Sequence, residues 1–189
     1  IKLGIVQFFS WFALFMMWVY TTSGIAGNVW HTAATDSTSA EFNEAGNWVG
    51  VIFAAYSLFA AIYAMFMTKL ANKFGRKSVY MWSLMLGGIG LLSMVFIHDK
   101  YLLLISMLGI GIAWAAILAM PYAILSAVLP ADKMGVYMGI FNATITIPQI
   151  AAGILGGVIL SLVGGQAIVM LGVAGVSMLL AGFSVRFVK

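Results

Sequence analysis

The segment KLANKFGRK, Lys69–Lys77, carries four of the nine lysine and arginine residues of this 189-residue chain. Charge is scarce elsewhere, because only 7% of all residues are charged and 63% are hydrophobic. A soluble domain needs about a quarter of its residues charged to cover its surface. Most of the surface is therefore predicted to face lipid, and the cationic segment is predicted to lie where the chain leaves the bilayer.

Long charge-free apolar runs lie on both sides of the cationic segment. A helix of about 20 apolar residues crosses a bilayer core of about 30 Å. The run between Met134 and Val185 is too long for one crossing, and VGGQ, Val163–Gln166, is the natural break within it. One domain, residues 1–189, then has six spans near 3–26, 47–67, 78–97, 101–129, 136–162 and 167–185. The predicted fold class is an all-α membrane protein with six transmembrane helices.

Basic residues are distributed unequally between the two predicted sides of the membrane. The side of the amino terminus receives every lysine and arginine except Lys100. The opposite side receives Asp36, Glu41, Glu44 and Asp99. Because lysine and arginine in short loops stay in the cytoplasm, both termini are predicted to be cytoplasmic. The expected location is the inner (plasma) membrane of the cell, as a multi-pass protein in contact with the lipid bilayer.

The cationic segment also carries a sequence pattern. TKLANKFGRK, Thr68–Lys77, resembles the signature loop G-x-x-x-D-R-x-G-R-[RK] of the major facilitator superfamily, which joins the second and third helices of each six-helix half. The resemblance assigns a conformational-switch loop to five residues: Asn72, Lys73, Gly75, Arg76 and Lys77. Asn72 replaces the aspartate of the pattern, so an ionic latch is not expected at that position.

Three further stretches resemble bacterial sugar transporters of the same superfamily, those related to sucrose and maltose symporters and to glycoside–pentoside–hexuronide cation symporters. They are QFFSWFALFMMWVYTT (Gln7–Thr22), NEAGNWVG (Asn43–Gly50) and MPYAILSAVLPADKMGVYMGIFNATITIPQ (Met120–Gln149). In order and spacing they are similar to the seventh, eighth, tenth and eleventh helices of such carriers. The chain is thus identified as the C-terminal half of a twelve-helix carrier, which implies an N-terminal six-helix half as its partner.

The resemblance also implies a function. It predicts secondary active transport of sugars, glucosides or disaccharides, coupled to protons and working by alternating access. A carrier of another solute class, such as drugs or nucleosides, is the first alternative. A six-helix membrane scaffold without transport is the second.

The fifth span carries a stripe of polar side chains. Asn142, Thr146 and Gln149 are spaced i, i+4 and i+7, which places them on one helix face. An unpaired amide in hydrocarbon is costly, so this face is predicted to look inward. Side-chain amides donate and accept hydrogen bonds as sugar hydroxyls do, which predicts a substrate site. The alternative is that these groups only link helices.

Aromatic residues extend the candidate substrate site to other spans. Gln7 and Trp11 are spaced i, i+4 on the first span, and an indole offers a flat apolar surface with one N–H donor. Tyr56 on the second span and Trp114 on the fourth lie near mid-membrane and are further candidates. Trp18 is interpreted as an anchor at the lipid interface.

Two spans lack amide and charged groups in their interiors, the third and the sixth. They are predicted to be outer helices that face lipid. Elsewhere, two glycine pairs with GxxxG spacing, Gly135/Gly139 and Gly153/Gly157, permit close helix packing, although this spacing is common in apolar helices.

Aspartate, glutamate, lysine, arginine and histidine are missing from the predicted span interiors. The five carboxylates lie in predicted loops: Asp36, Glu41, Glu44, Asp99 and Asp132. A proton symporter needs a titratable group in the membrane path, so the coupling acid is expected on the N-terminal half unless the carrier is a uniporter. The chain has no cysteine, no cluster of metal-ligating residues and no nucleophile–base pair. No enzymatic activity, cofactor, metal or nucleic-acid partner is expected.

Overall fold

The computed structural model describes residues 2–33, 36–126 and 134–188, and in this part of the chain it contains six α-helices. These are α1 Lys2–Val29, α2 Ala40–Phe74, α3 Arg76–Phe96, α4 Leu103–Ser126, α5 Met134–Leu162 and α6 Ala167–Ser184, followed by a 3-10 turn, Val185–Phe187. All six helices are long and apolar enough to cross a membrane. The described residues form no β-strand. The predicted all-α class with six membrane-spanning helices is confirmed.

Helix α2 extends well beyond the apolar run that predicted it. Its amino terminus is capped by Ser39, whose side-chain oxygen accepts a hydrogen bond from the Phe42 backbone N–H at 3.2 Å. Glu41 in the first turn complements the helix dipole. At about 1.5 Å per residue, the 35 residues of α2 reach about 50 Å, so its polar ends project beyond a bilayer core of about 30 Å.

The cationic segment is helical rather than a loop. Helix α2 continues through Phe74 and α3 begins at Arg76, so that Gly75 alone separates them. Gly75 has φ 85° and ψ 144°, a conformation that side chains other than glycine rarely adopt. Its N–H donates to the Ala71 carbonyl at 2.9 Å and closes the last turn of α2. The loop predicted at Lys69–Lys77 is therefore wrong, and the connection is a one-residue junction between two helices.

The six helices pack in an arrangement that leaves two of them open. Helices α3 and α6 pack against each other, with α4 against α3 and α1 against α6. Helix α2 then packs on α4, and α5 packs on α1. About half of the apolar window is buried in α1, α3, α4 and α6, whereas α2 and α5 bury far less. The prediction that α3 and α6 are outer helices therefore holds for one face of each only.

Close packing between helices occurs at glycines of α3, α4 and α6. A methyl group added to Gly111 of α4 would lie 2.5 Å from the Tyr56 carbonyl oxygen and 2.8 Å from Phe59 Cβ, because α2 and α4 touch there with little between their backbones. Gly88 of α3 and Gly175 of α6 face each other in the same way. A methyl group on either would lie 3.0 Å from the carbonyl oxygen of the other.

The glycine pairs of α5 are not used for such packing. Apart from the chain neighbours and nearby backbone of α5 itself, no heavy atom of the described residues lies within 4 Å of a methyl group added at Gly135, Gly139 or Gly157. At Gly153 the nearest atom belongs to the Phe15 ring at 3.9 Å, an ordinary contact. GxxxG spacing permits close approach but does not supply a neighbour, and among the described residues no helix packs closely at these pairs.

An ion pair fastens the connection between α3 and α4 to the start of α2. Lys100 Nζ donates to Glu44 Oε1 at 3.1 Å, and Trp48 Nε1 donates to the Lys100 carbonyl at 2.9 Å. The hydrogen bond with Glu44 raises the pKa of the Lys100 ammonium above its usual value. Both charged groups are solvent-accessible, so the pair positions the helix ends more than it stabilises them.

Candidate functional site

An aromatic cluster joins α1, α2 and α4. Its members are Trp11 and Trp18 of α1, Tyr56 of α2 and Trp114 of α4. The Trp114 ring centroid lies 6.0 Å from that of Trp11, 5.6 Å from that of Trp18 and 6.4 Å from that of Tyr56, each time edge to face. Such a pair adds about 0.5–1.5 kcal/mol beyond the burial of its area. The structure thus brings together three of the predicted site residues, Trp11, Tyr56 and Trp114.

Trp18 belongs to this cluster and is not an interface anchor. It lies near the middle of α1 and is half-buried, with its ring centroid 6.4 Å from that of Trp11. The signal was present in the sequence, because residues seven apart lie on the same face of a helix. The interpretation of Trp18 as an anchor at the lipid interface gave too little weight to its spacing of seven residues from Trp11.

Two buried N–H groups of α1 have no acceptor among the described residues, Trp11 Nε1 and Gln7 Nε2. The Gln7 amide is fully buried, and its Oε1 accepts a hydrogen bond from the Tyr80 hydroxyl of α3 at 2.9 Å. A buried donor without an acceptor costs about 1–3 kcal/mol. An oxygen acceptor that reached either atom, from water or from a ligand, would recover that cost.

The polar stripe of α5 lies on an open face of the six helices. Asn142 and Thr146 are exposed and Gln149 is half-buried. The Tyr122 hydroxyl of α4 donates to Asn142 Oδ1 at 3.2 Å, and the Thr146 hydroxyl donates to the Asn142 carbonyl at 3.4 Å. The stripe is exposed because α5 packs on α1 through another face, so the described residues leave most of the stripe uncovered.

Arg76 of the cationic segment contacts the C-terminal end of α4. Arg76 Nη1 donates to the Ala123 carbonyl at 2.6 Å. Ala123 is within the last turn of α4, where carbonyls lack partners in the helix and a cation is favourable. The other members of the predicted switch, Asn72, Lys73 and Lys77, are exposed. Asp132, a carboxylate of the α4–α5 connection, lies outside the described residues, as do Lys133 and Lys189.

Tyrosines that hold the candidate residues were not predicted. Tyr80 positions the Gln7 amide, and Tyr122 positions the Asn142 amide. Each contact joins two different helices, so no residue spacing within one helix predicts it. Within the described ranges, no group of histidine, aspartate and glutamate could hold a metal ion.

Six helices of membrane-spanning length and apolar composition in the described part of the chain indicate a multi-pass membrane protein. A family model described as Major Facilitator Superfamily matches residues 3–189. The chain therefore belongs to this superfamily of membrane transporters, and its six helices fit half of a twelve-helix member. No curated protein and no solved structure matches the chain.

Proposed function

We propose that the chain is the C-terminal half of a secondary active sugar carrier, with glucosides or disaccharides as substrates. The observation that carries the proposal is the tryptophan cluster around Trp114 together with the unpaired buried N–H of Trp11. Indole faces suit the apolar C–H face of a pyranose ring, and the unpaired donors suit its oxygen atoms.

An N-terminal six-helix half is the proposed partner. The support comes from α5, where Asn142 and Thr146 are exposed on a largely apolar helix. Amide and hydroxyl groups are unfavourable in contact with lipid tails, so a polar surface or water is the better neighbour for this face. The two halves would rock about a site between them and open it to each side in turn.

Proton coupling is the second part of the proposal, and we assign its acid to the N-terminal half. The described carboxylates Asp36, Glu41, Glu44 and Asp99 lie in connections or in the first turns of α2, and none lies at the middle of a helix. A coupling acid normally faces a polar interior within the membrane. These six helices would then contribute sugar contacts and the rocking motion.

Transport by the intact carrier tests this function. In proteoliposomes with an inward-directed proton gradient, glucosides or disaccharides are expected to accumulate, and a protonophore should abolish the accumulation. Uptake of nucleosides or of lipophilic drugs in preference to sugars would favour the other class of carrier. An intact, folded protein that moves none of these solutes would instead favour a membrane scaffold.

Substitutions on α5 test its role in substrate binding. In the intact carrier, Asn142→Leu and Gln149→Leu are each expected to weaken sugar affinity about 2- to 13-fold, which corresponds to the loss of one neutral hydrogen bond. Affinity is measured from the concentration dependence of exchange across the membrane. Ser161→Leu is the matched control, because Ser161 is also exposed on α5 but donates to its own helix at Val158.

The control variant should retain wild-type affinity. If Asn142→Leu and Gln149→Leu fail to accumulate while Ser161→Leu accumulates normally, the polar stripe links helices and does not bind sugar. Equal affinity of all three variants would also remove this face from the substrate site.

Orientation in the membrane is the last part of the proposal. We place the protein in the inner (plasma) membrane of the cell. Both termini and the α2–α3 junction lie in the cytoplasm in this proposal, because the basic residues gather on that side. A reporter fused after Lys77 is expected to report a cytoplasmic position, and one fused within residues 36–44 an external position. Reversed reporter signals would contradict the assignment. Replacing Lys73, Arg76 and Lys77 by glutamine should increase the fraction of misinserted protein.

A further inference from the structure

A lateral groove of about 550 Å³ lies between α2, α3 and α4, away from the aromatic cluster. Its rim is formed by exposed apolar side chains, Phe74 of α2 with Trp82 and Leu86 of α3, and Ile112 of α4 contributes to the lining. Trp82 is 62% exposed, which makes it one of the larger apolar groups on the outer side of the six helices. The volume falls within the range of small-molecule sites.

The buried polar groups in the groove lining already have hydrogen-bond partners within the protein and need none from a ligand. The Ser83 hydroxyl donates to the Val79 carbonyl at 2.8 Å. The Ser83 oxygen is 2.9 Å from the Tyr63 hydroxyl, so Tyr63 donates and both protons are used within the protein. The remaining lining is almost wholly apolar, which suits a hydrocarbon chain.

Two lysines are neighbours in the chain of lining residues at the end of the groove where α2 meets α3. Lys73 directly precedes Phe74, and its ammonium lies 5.2 Å from the centroid of the Phe74 ring. Lys77 directly precedes Ser78, another lining residue. Neither lysine forms an ion pair with a carboxylate of the described residues. Apolar lining with positive charge at one end is complementary to a molecule that has an anionic head and a hydrocarbon tail.

We infer that this groove is a binding site for an anionic glycerophospholipid. One acyl chain lies along Trp82 and Leu86, and the phosphate contacts Lys73 and Lys77. Anionic lipids are enriched in cytoplasmic leaflets, and each basic residue near such a surface strengthens binding about fivefold. The inference is independent of the transported substrate, because it uses none of the residues of the aromatic cluster.

A second groove in the same molecule provides an internal comparison. It has a volume of about 410 Å³, lies between α3 and α6, and is lined by apolar residues such as Val95, Phe96 and Val176. The basic residue nearest to it in sequence, Lys100, is paired with Glu44. An acyl chain can occupy this groove as well, but a preference for an anionic head group is expected only at the groove that contains Trp82.

Quenching of Trp82 fluorescence by brominated lipids tests the inference on the intact carrier in nanodiscs. The Trp82 signal is the difference between the wild-type protein and Trp82→Phe, which keeps an aromatic ring in place. Brominated phosphatidylglycerol is expected to half-quench this signal at a several-fold lower mole fraction than brominated phosphatidylcholine. Equal quenching by the two lipids would overturn the proposal, because it would show ordinary boundary lipid.

Removal of the cations should remove the preference. The double variant Lys73→Gln/Lys77→Gln is expected to be half-quenched at nearly equal mole fractions of the two lipids, whereas Arg186→Gln should keep the preference. Arg186 is a matched control, because its guanidinium also lies against a ring, 5.0 Å from the centroid of Phe183, but borders neither groove. A preference that survives in the double variant overturns the inference.

Ionic strength provides a test that needs no variant of the lysines. Because exposed charges are screened within about 8 Å at physiological salt and about 3 Å at 1 M, high salt should abolish the preference for phosphatidylglycerol in the wild-type protein. A preference that is unchanged in high salt would mean that Lys73 and Lys77 do not hold the phosphate, and it would overturn the inference even if the double variant failed to fold.

Discussion

Replacing Gly111 with alanine is expected to lower the free energy of unfolding by about 1–3 kcal/mol, the usual cost of overfilling a packed interior. The added methyl group would lie 2.5 Å from the Tyr56 carbonyl oxygen and 2.8 Å from Phe59 Cβ. Neither atom is the end of a flexible side chain, so α2 and α4 must move apart. Thermal unfolding of the intact carrier in detergent, followed by size-exclusion chromatography of the remaining folded protein, measures the effect.

Gly172→Ala on α6 is the matched control for this substitution. The added methyl group would meet only Val95 Cγ2, at 3.4 Å, which is an ordinary van der Waals distance. Alanine is about 1 kcal/mol better than glycine inside a helix, so the control is expected to be neutral or stabilising. The same propensity gain applies to Gly111, and the difference between the two variants therefore reports the clash. Equal stability of both variants would contradict the close approach of α2 and α4.

The number and type of helices could be predicted because lipid imposes a simple requirement. A bilayer needs about 20 apolar residues per crossing, and the charged residues mark the ends of each run. The connection at Gly75 could not be predicted in the same way. Charges indicated a position outside lipid, but a helix can continue into water, and Lys69 and Lys73 are good helix formers. Polarity therefore located the connection but not its conformation.

The site could be predicted only where its members share a helix. The i, i+4 spacing placed Gln7 with Trp11, and i, i+7 would have added Trp18. Contacts between helices were different, because nothing near Trp114 in the sequence indicates that its ring meets Trp11 and Trp18. The Gln7–Tyr80 hydrogen bond was missed for the same reason. Such pairs depend on how the helices are arranged, which a single sequence does not specify locally.

The α5 stripe shows a further limit of sequence reasoning. A polar face on an apolar helix predicts that lipid is avoided, but it does not say which surface covers the face. Asn142 contacts α4 through the Tyr122 hydroxyl, and both Asn142 and Thr146 remain exposed. Their exposure is consistent with the proposed partner half and is the reason the substitutions on α5 must be studied in the intact carrier.

Trp114→Ala is expected to have the largest effect on transport, because Trp114 contacts three other rings of the aromatic cluster. Truncation of a central tryptophan in a binding site typically costs about 2 kcal/mol or more, which corresponds to about 30-fold in sugar affinity. The loss is measured twice, from sugar exchange in proteoliposomes and from the thermal stabilisation that saturating sugar gives to the detergent-solubilised carrier. Trp114→Phe should fall between the alanine variant and the wild-type protein.

A loss of packing alone must be distinguished from a loss of binding, because large-to-small changes at aromatic positions also destabilise the fold. Phe183→Ala is the control, since Phe183 is an exposed aromatic residue on the outer face of α6, and it should leave sugar exchange unchanged. In the binding interpretation, Trp114→Ala lowers exchange and also shifts the sugar concentration needed for thermal stabilisation. If that concentration stays at the wild-type value while overall stability falls, the tryptophan cluster only packs α1 against α4, and the sugar site must lie elsewhere in the carrier.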